Sequence, residues 1–554
     1  MASSSPTARL HIERRLGRSL GDRIIRIGDH YFRICAVKSS QHTKRLYWCA
    51  LIVGLLFSRL AVADPTSEAD QRWQSLARAD IEAVHDTIER SHPGAIDSSN
   101  PEFRVWMEDG YHEALSLLPR VYDYNSMLDA VRYYVTGFQD GHLLYSDNAR
   151  AARTHNAPLP MPGWKIDLVN SAYVVTKVWE GFPSELPPLG SLLVQCDGQT
   201  PETLYHERIA PFFDRRPLTV DKASIASMLT RPMLRGNELK QCEFNSPEAK
   251  TVELKVTYVP EPLLKVFSFM HSAVGQPHRT NGFSFNEGVL WIRAANFSLN
   301  QEDAKELDAM LPGIRRLKRV RTIVFDTRSN GGGDSSVGGR IFLAATGGLD
   351  YDLRGIEKLP RVYAQWRVSD VSIRTAAEDV IHAKTVYGPE SSRIDSALAF
   401  WDGLRRARSN GQQWYDQWEG SKWGYRVDRK EIVQRHGKLR SFSGQVVLVT
   451  DSHCASACLD FADLVRLVPG AVHVGKTTSA DSVYIDIGWV NMPSGNGLIM
   501  PLKVWRNRLR GNNEPLVPDV SFDCDMDDDT CVQTKTLAVL GHPSGSGSGR
   551  DPRR

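Results

Sequence analysis

The stretch "GQVVLVTDSHCASACLDFADLVRLVPGAVHVG" (444–475) decides the fold. "VVLV" is continuously apolar, as a strand covered on both faces is. A short turn follows at 451–456. Then Leu459, Ala462, Leu464, Val465 and Val468 recur at helical spacing, and "AVHV" reads as a second strand. Strand, tight turn, helix, strand implies a parallel α/β sheet with helical crossovers. The stretch "VRTIVFDTRSNGGGDSSVGGRIFLAAT" (320–346) repeats the theme as strand, glycine loop and helix. Open α/β sheets place their sites at the carboxyl ends of such strands. Two features sit there: Ser456, and the glycine loop "SNGGGD" (329–334).

Residue type alone leaves Ser456 three roles. A serine heading a helix is a cap. The same place offers free backbone N–H groups and the positive end of a helix dipole to a developing oxyanion, which suits a nucleophile. His453, Cys454 and Cys458 around it also raise the question of a metal. Zinc needs four ligands, or three plus water, and no second CxxC or HxxxH is present, so no metal site is expected. Three successive glycines let a backbone approach a substrate closely. No Lys-Ser/Thr follows them, so the loop is not a phosphate-binding P-loop. A tight turn is the plain alternative.

The 554 residues are too many for one ordinary domain. Hydrophobic content of 41% and charged content of 24% suit a globular chain and exclude a multi-span membrane protein. "KRLYWCALIVGLLFSRLAVADPTS" (44–67) has a basic pair, an apolar run from Leu46 to Phe57, and Ala61-Val62-Ala63 before Asp64. That order is a secretory signal. The run is short for a membrane span, and an uncleaved anchor is the alternative. Segment 1–63 holds 11 of the 68 Lys/Arg and 3 of the 65 Asp/Glu. The remainder carries 57 basic and 62 acidic side chains, a formal charge of about −5. The basicity belongs to the leader, so nucleic acid is not an expected partner.

Six cysteines follow the leader: Cys196, Cys242, Cys454, Cys458, Cys524 and Cys531. An even number in an exported chain permits disulfides. Six allow fifteen pairings; proximity suggests Cys524–Cys531, Cys454–Cys458 and therefore Cys196–Cys242. Six buried, reduced thiols are the alternative. A periplasmic or extracellular location is expected, with membrane contact only through an uncleaved leader.

Texture divides the rest. Residues 64–160 are helical; in "RWQSLARADIEAVHDTIERSHPG", Trp73, Leu76, Ile81, Val84 and Ile88 share one face and "HPG" ends it. Residues 161–262 turn to β: two strands around Asn-Ser, a strand before Asp-Gly, a short helix, and "TVELKVTYVP". Segments 280–345 and 441–535 form the α/β core. Between them, 346–440 is an Arg- and Trp-rich insertion, read as a packed lid, with Trp366, Trp401, Trp414, Trp418 and Trp423. Residues 541–554 form a Gly/Ser tail, expected to be disordered.

In order, "DGHLLY", "LGSLLVQCDGQTPE", "VFDTRSNGGG", "CASACLDFADLV", "VGKTTSAD" and "NEPLVPDV" occur in the chain. This series resembles the C-terminal processing, or tail-specific, serine peptidases, including the tricorn-like branch, over roughly 130–525. The resemblance implies a crotonase-like (ClpP/crotonase) α/β protease core, an N-terminal helical cap and an inserted PDZ-like β domain. It implies Ser456 as nucleophile, and Gly332 and Ala457 as oxyanion-hole donors, with Gly333 adjacent. Many members use a lysine 25 residues after the serine, but Asp481 stands there in this chain. An aspartate cannot replace a desolvated lysine base, and Lys476, the alternative base, lies 20 residues on. The tricorn-like branch uses a histidine from the helical segment and a late acid, which correspond to His142 and Glu514. Imidazole removes a serine proton near neutral pH, and a carboxylate can orient it. His453 is the local rival. The reading is an exported serine endopeptidase acting on peptide or unfolded protein, with peptide docking on the PDZ-like domain and no cofactor. The rival reading is a catalytically inactive peptide-binding homologue.

Overall fold

The computed structural model describes residues 26–27, 30–31, 65–147, 158–270, 279–347, 362–417, 442 and 444–541. The chain divides into two units, Met1–Asp64 and Pro65–Arg554. In the first, Arg26–Ile27 and His30–Tyr31 pair antiparallel. The signal-like stretch at 44–63, Trp418, Trp423 and the tail from 542 lie outside the described residues. Among the described residues no helix is long and apolar enough to cross a membrane.

The second unit begins with helices α1 (Pro65–Ser91), α2 (Pro101–Ser116) and α3 (Tyr124–Thr136), then strand β1 (Leu144–Ser146). Ala77, Ile81, Val84 and Ile88 of α1 are wholly buried at helical spacing, and Trp73 and Leu76 pack at the margin. Asp123 and Ser126 form a capping box that starts α3.

Five strands follow: β2 (Trp164–Val169), β3 (Ala172–Val178), β4 (Leu192–Cys196), β5 (Gln241–Asn245) and β6 (Thr251–Lys255). They form one antiparallel sheet in chain order. Asn170 and Ser171 both take positive φ, which a two-residue type I′ hairpin turn requires. Cys196 and Cys242 oppose each other across β4 and β5 and are disulfide-bonded.

From Gly282 onward the unit comprises β7 (Gly282–Asn286), β8 (Val289–Arg293), α4 (Gln301–Arg316), β9 (Thr322–Asp326), α5 (Ser335–Thr346), β10 (Tyr363–Arg367), α6 (Asp370–Tyr387), α7 (Ser392–Ser409), β11 (Trp414–Asp416), β12 (Gln445–Thr450), α8 (Ala457–Arg466), β13 (Val472–Gly475), β14 (Tyr484–Asn491), β15 (Gly497–Arg506), β16 (Val520–Ser521) and α9 (Asp529–Gly541). The central sheet runs β7-β8-β9-β12-β13-β16, parallel except for β7. Its continuous apolar strands have two covers. Ile323, Phe325, Val446 and Leu448 join α4, α5 and α8 in one core. Val324, Val447 and Val449 face the other way, against Phe522, Met526 and Val532. The fold is thus mixed α/β with several sheets.

A further sheet has no counterpart in the sequence reading. It runs β11-β10-β15-β14, and β1 adds to β15. It gathers strands from the helical segment, the Trp-rich segment and the C-terminal part. Trp366 of β10 is buried in the same core as α1–α3.

A candidate active site at the head of helix α8

β12 ends at Thr450 and α8 begins at Ala457. The six residues between them make a sharp elbow fixed from several sides. Buried Asp451 accepts hydrogen bonds from Ser329 N (2.8 Å) and His453 N (3.0 Å), which tie the elbow to the glycine loop. Buried Asn330 adds more: its Nδ2 donates to Ala294 O (2.6 Å), and its carbonyl accepts from Ala455 N (3.4 Å). Cys454 and Cys458 are disulfide-bonded across the elbow, both wholly buried. Cysteines spent on each other are not available to a metal, and among the described residues no group of three or more His, Cys, Asp or Glu could hold one.

Ser456 sits at the apex with φ 54° and ψ −124°. A non-glycine residue there carries strain of about 1–3 kcal/mol and persists only where its surroundings over-determine it. It occupies the N-cap position, yet its hydroxyl makes no capping bond. A cap role would need that bond. Gly332, at φ 105°, faces it: a Cβ there would lie 2.8 Å from Ser456 Cβ and 3.1 Å from Ala457 N. Only glycine fits this approach. The structure therefore brings Ser456, Ala457 and Gly332 together. Gly333, at φ 128°, is pressed instead onto the backbone of Phe297. The Gly332 N–H donates to Asn330 Oδ1 at 2.9 Å, so an oxyanion at that amide would have to displace or share the side-chain carbonyl.

Of the remaining sequence-expected residues, His142, Lys476 and Glu514 stand on other loops. Among the described residues no hydrogen bond joins Ser456 to His142, Lys476 or Glu514. His142 lies between α3 and β1, half-buried, and its Nδ1 is buried without a hydrogen-bond partner. Glu514 is exposed, and its Oε2 accepts from Gly511 N at 2.6 Å. The two loops do meet, since Asn513 Nδ2 donates to Gln139 O at 2.7 Å. Lys476 is exposed at the end of β13, where its charge acts on Asp523. His453 is exposed, and its Nδ1 lies 3.3 Å from Asp451, whose hydrogen bond holds the imidazole above its ordinary range.

Asp481 is buried and engaged with Arg508 at 2.9 Å and with Arg510. Arg510 also reaches Asp463 of α8 at 3.1 Å. Burial pushes the Asp463 carboxyl up to about 6 despite Arg510. Asp481, 25 residues after Ser456, is thus held in an ion network with Arg508 and Arg510 that braces the flank of α8 through Asp463. Cys524–Cys531, the third disulfide, closes the loop whose Met526 O and Asp529 anchor buried Arg328 at 2.6 and 2.9 Å. The sequence reading missed Asn330 and Asp451 as organisers of the elbow. Both lie within its motifs, Asn330 in the glycine loop and Asp451 in the turn, but nothing local shows that they bond across to each other's segment.

The class that this arrangement defines is a mixed α/β protein with a strained serine elbow at a parallel strand end. No family model matches the chain, and no curated protein matches it. Among solved structures the chain is similar to mature CPAF complexed with lactacystin, at 11% identity and a TM-score of 0.51, covering 84% of this chain and 99% of that one. A looser likeness extends to the photosystem II D1 C-terminal processing protease, at 14% identity and TM-score 0.32, covering 82% of this chain and 96% of that one. Another is to the tricorn protease, at 12% identity and TM-score 0.33, covering 84% of this chain and 37% of that one. At these identities the likeness is one of fold, and of these structures the match to mature CPAF is the one that supports it.

Proposed function

We propose that the chain is an exported serine endopeptidase of the tail-specific type, nearer to the tricorn-like Ser/His branch than to the Ser/Lys branch. Its α/β core is read as crotonase-like, and its five-stranded antiparallel domain as PDZ-like, able to take an extended peptide onto a sheet edge. The observation that carries the reading is the elbow: Ser456 is held strained, uncapped and against Gly332 at a parallel strand end. The likeness to mature CPAF supports it at the level of fold, and three disulfides support an oxidising compartment.

Ser456 Oγ attacks the scissile carbonyl to give an acyl-enzyme. His142 takes the hydroxyl proton and returns it to the leaving amine, and water then releases the acyl group with His142 as base again. Glu514 orients His142 after turning from Gly511, and the N–H groups of Ala457 and Gly332 receive the oxyanion. The amide that Gly332 gives to Asn330 favours a second reading, a silent peptide-binding protein whose hole stays closed. A fluorophosphonate probe separates the two. The enzyme reading expects labelling of the wild type that vanishes in Ser456→Ala. An unlabelled wild type establishes the silent binder instead.

A further inference from the structure

"Asp140-Gly141-His142" accounts for each of its three residues in the structure. Asp140 is buried, and its Oδ1 accepts from His142 N (3.0 Å) and from Ser482 Oγ (2.9 Å). At Gly141 a Cβ would lie 2.5 Å from Arg216 Nη1, so any side chain there would have to displace the guanidinium. Arg216 Nη1 donates to Ala480 O at 2.7 Å, while Ser482 Oγ ties Asp140 to the same segment, 480–482. His142 is then presented with its Nδ1 buried and unpartnered. Such an atom needs an explanation in a folded protein.

The other oxygen of Asp140 faces a second histidine. His92, wholly buried, places Nε2 3.4 Å from Asp140 Oδ2, off the line of a good hydrogen bond, so the contact is chiefly electrostatic. His92 Nδ1 accepts from Gly94 N at 2.9 Å, which leaves the ring proton on Nε2, aimed at the carboxylate. Phe103 stacks on the ring at 4.5 Å and fixes its plane. Burial holds the His92 imidazole below its ordinary range, although Asp140 opposes this. Burial alone would raise the Asp140 carboxyl, but His92 and His142 outweigh it and keep the group ionised.

From this geometry we infer that Asp140, held by Ser482 and His92, is a positioning residue that fixes the backbone of His142, and through it the place from which the ring projects for proton transfer. The inference rests on the proposed peptidase reading and goes beyond it. A buried carboxylate costs folding free energy unless it is fully engaged. Here two of its engagements reach outside the loop, and all converge on the residue that presents the base. A general base displaced by about 1 Å loses on the order of a hundredfold in rate.

The test is a double-mutant cycle read with the fluorophosphonate probe. Asp140→Asn keeps the size and the Oδ1 acceptor but places an amide opposite the His92 N–H. The second-order labelling constant is expected to fall tenfold or more in the otherwise wild-type chain, and less than twofold in a His142→Ala background. A residue that acts through another shows this non-additivity. Equal falls in both backgrounds would make Asp140 merely structural and overturn the inference, as would no fall in either. Should Asp140→Asn not fold, Ser482→Ala removes one anchor only, and the same split at about threefold to tenfold decides. Within this cycle, an unlabelled wild type sinks the peptidase reading itself. A labelled wild type with additive variants sinks only the positioning role.

Discussion

Two turns in this protein share a local design and differ in outcome. "Asp451-Ser452-His453" and "Asp140-Gly141-His142" each bend an aspartate back onto the N–H of the histidine two residues on, at 3.0 Å in both. In the first, the other carboxylate oxygen meets Nδ1 of the same histidine at 3.3 Å, and the ring is exposed. In the second, that oxygen turns to a different histidine, His92, and His142 keeps an unpartnered nitrogen. The His453 ring is turned to the aspartate that its own backbone N–H bonds. An imidazole held in place by its backbone alone is free to work as a base. Nearness in sequence to Ser456 is therefore the wrong guide, and the contrast favours His142 over His453.

The largest effect should come from exchanging the two. His142→Ala is expected to lower probe labelling by about a thousandfold, within the range of a lost general base, while His453→Ala stays within about twofold. Comparable losses from both would break the comparison. Full activity in His142→Ala together with loss in Lys476→Ala would move the base to the lysine.

The same contrast shows what a sequence can disclose. The elbow was legible because its signals are local: "TIVF" and "VVLV" declare strands covered on both faces, and the glycine loop declares a close approach. The three cysteine pairs that proximity suggests are those the structure forms. The anchoring of the His142 turn was not legible. His92 lies nearly fifty residues upstream, and Ser482 comes directly after the "VGKTTSAD" motif, next to the Asp481 that stands at the lysine offset. The sheet that carries β1 was hidden for the same reason, since Leu144 pairs with Ile499 and no periodicity encodes a partner so distant.

Each turn also rests near a buried histidine, which gives a second, smaller test. His473 of β13 lies under the elbow, with Nε2 2.7 Å from Thr450 Oγ1. Burial, aided by Arg466, pushes its imidazole down to about 4. The unfolded chain titrates near 6.5, so between those values it binds a proton that the folded chain refuses. Stability is then complete above pH 6.5 and declines as pH falls toward 4, by about 3 kcal/mol. His473→Gln should flatten that decline in urea unfolding followed at pH 6.5 and pH 4.5. If both proteins lose stability in parallel over this range, His473 does not titrate as its burial demands.

The smallest effect concerns what holds the strained turn. The His142 turn is fixed by hydrogen bonds, whereas the Ser456 elbow has a covalent brace as well. A disulfide closing so short a loop contributes about 2 kcal/mol through the unfolded chain. Replacing Cys454 and Cys458 together by Ala should therefore lower the thermal midpoint modestly. It should also slow labelling by about tenfold, because Ser456 can relax from its positive φ once the staple is gone. Replacing Cys196 and Cys242 in the antiparallel domain serves as the control: that variant should lose stability and keep its labelling rate. If both pairs affect stability alone, the elbow is already over-determined by Asp451 and Asn330. The disulfide would then protect the fold without shaping the nucleophile.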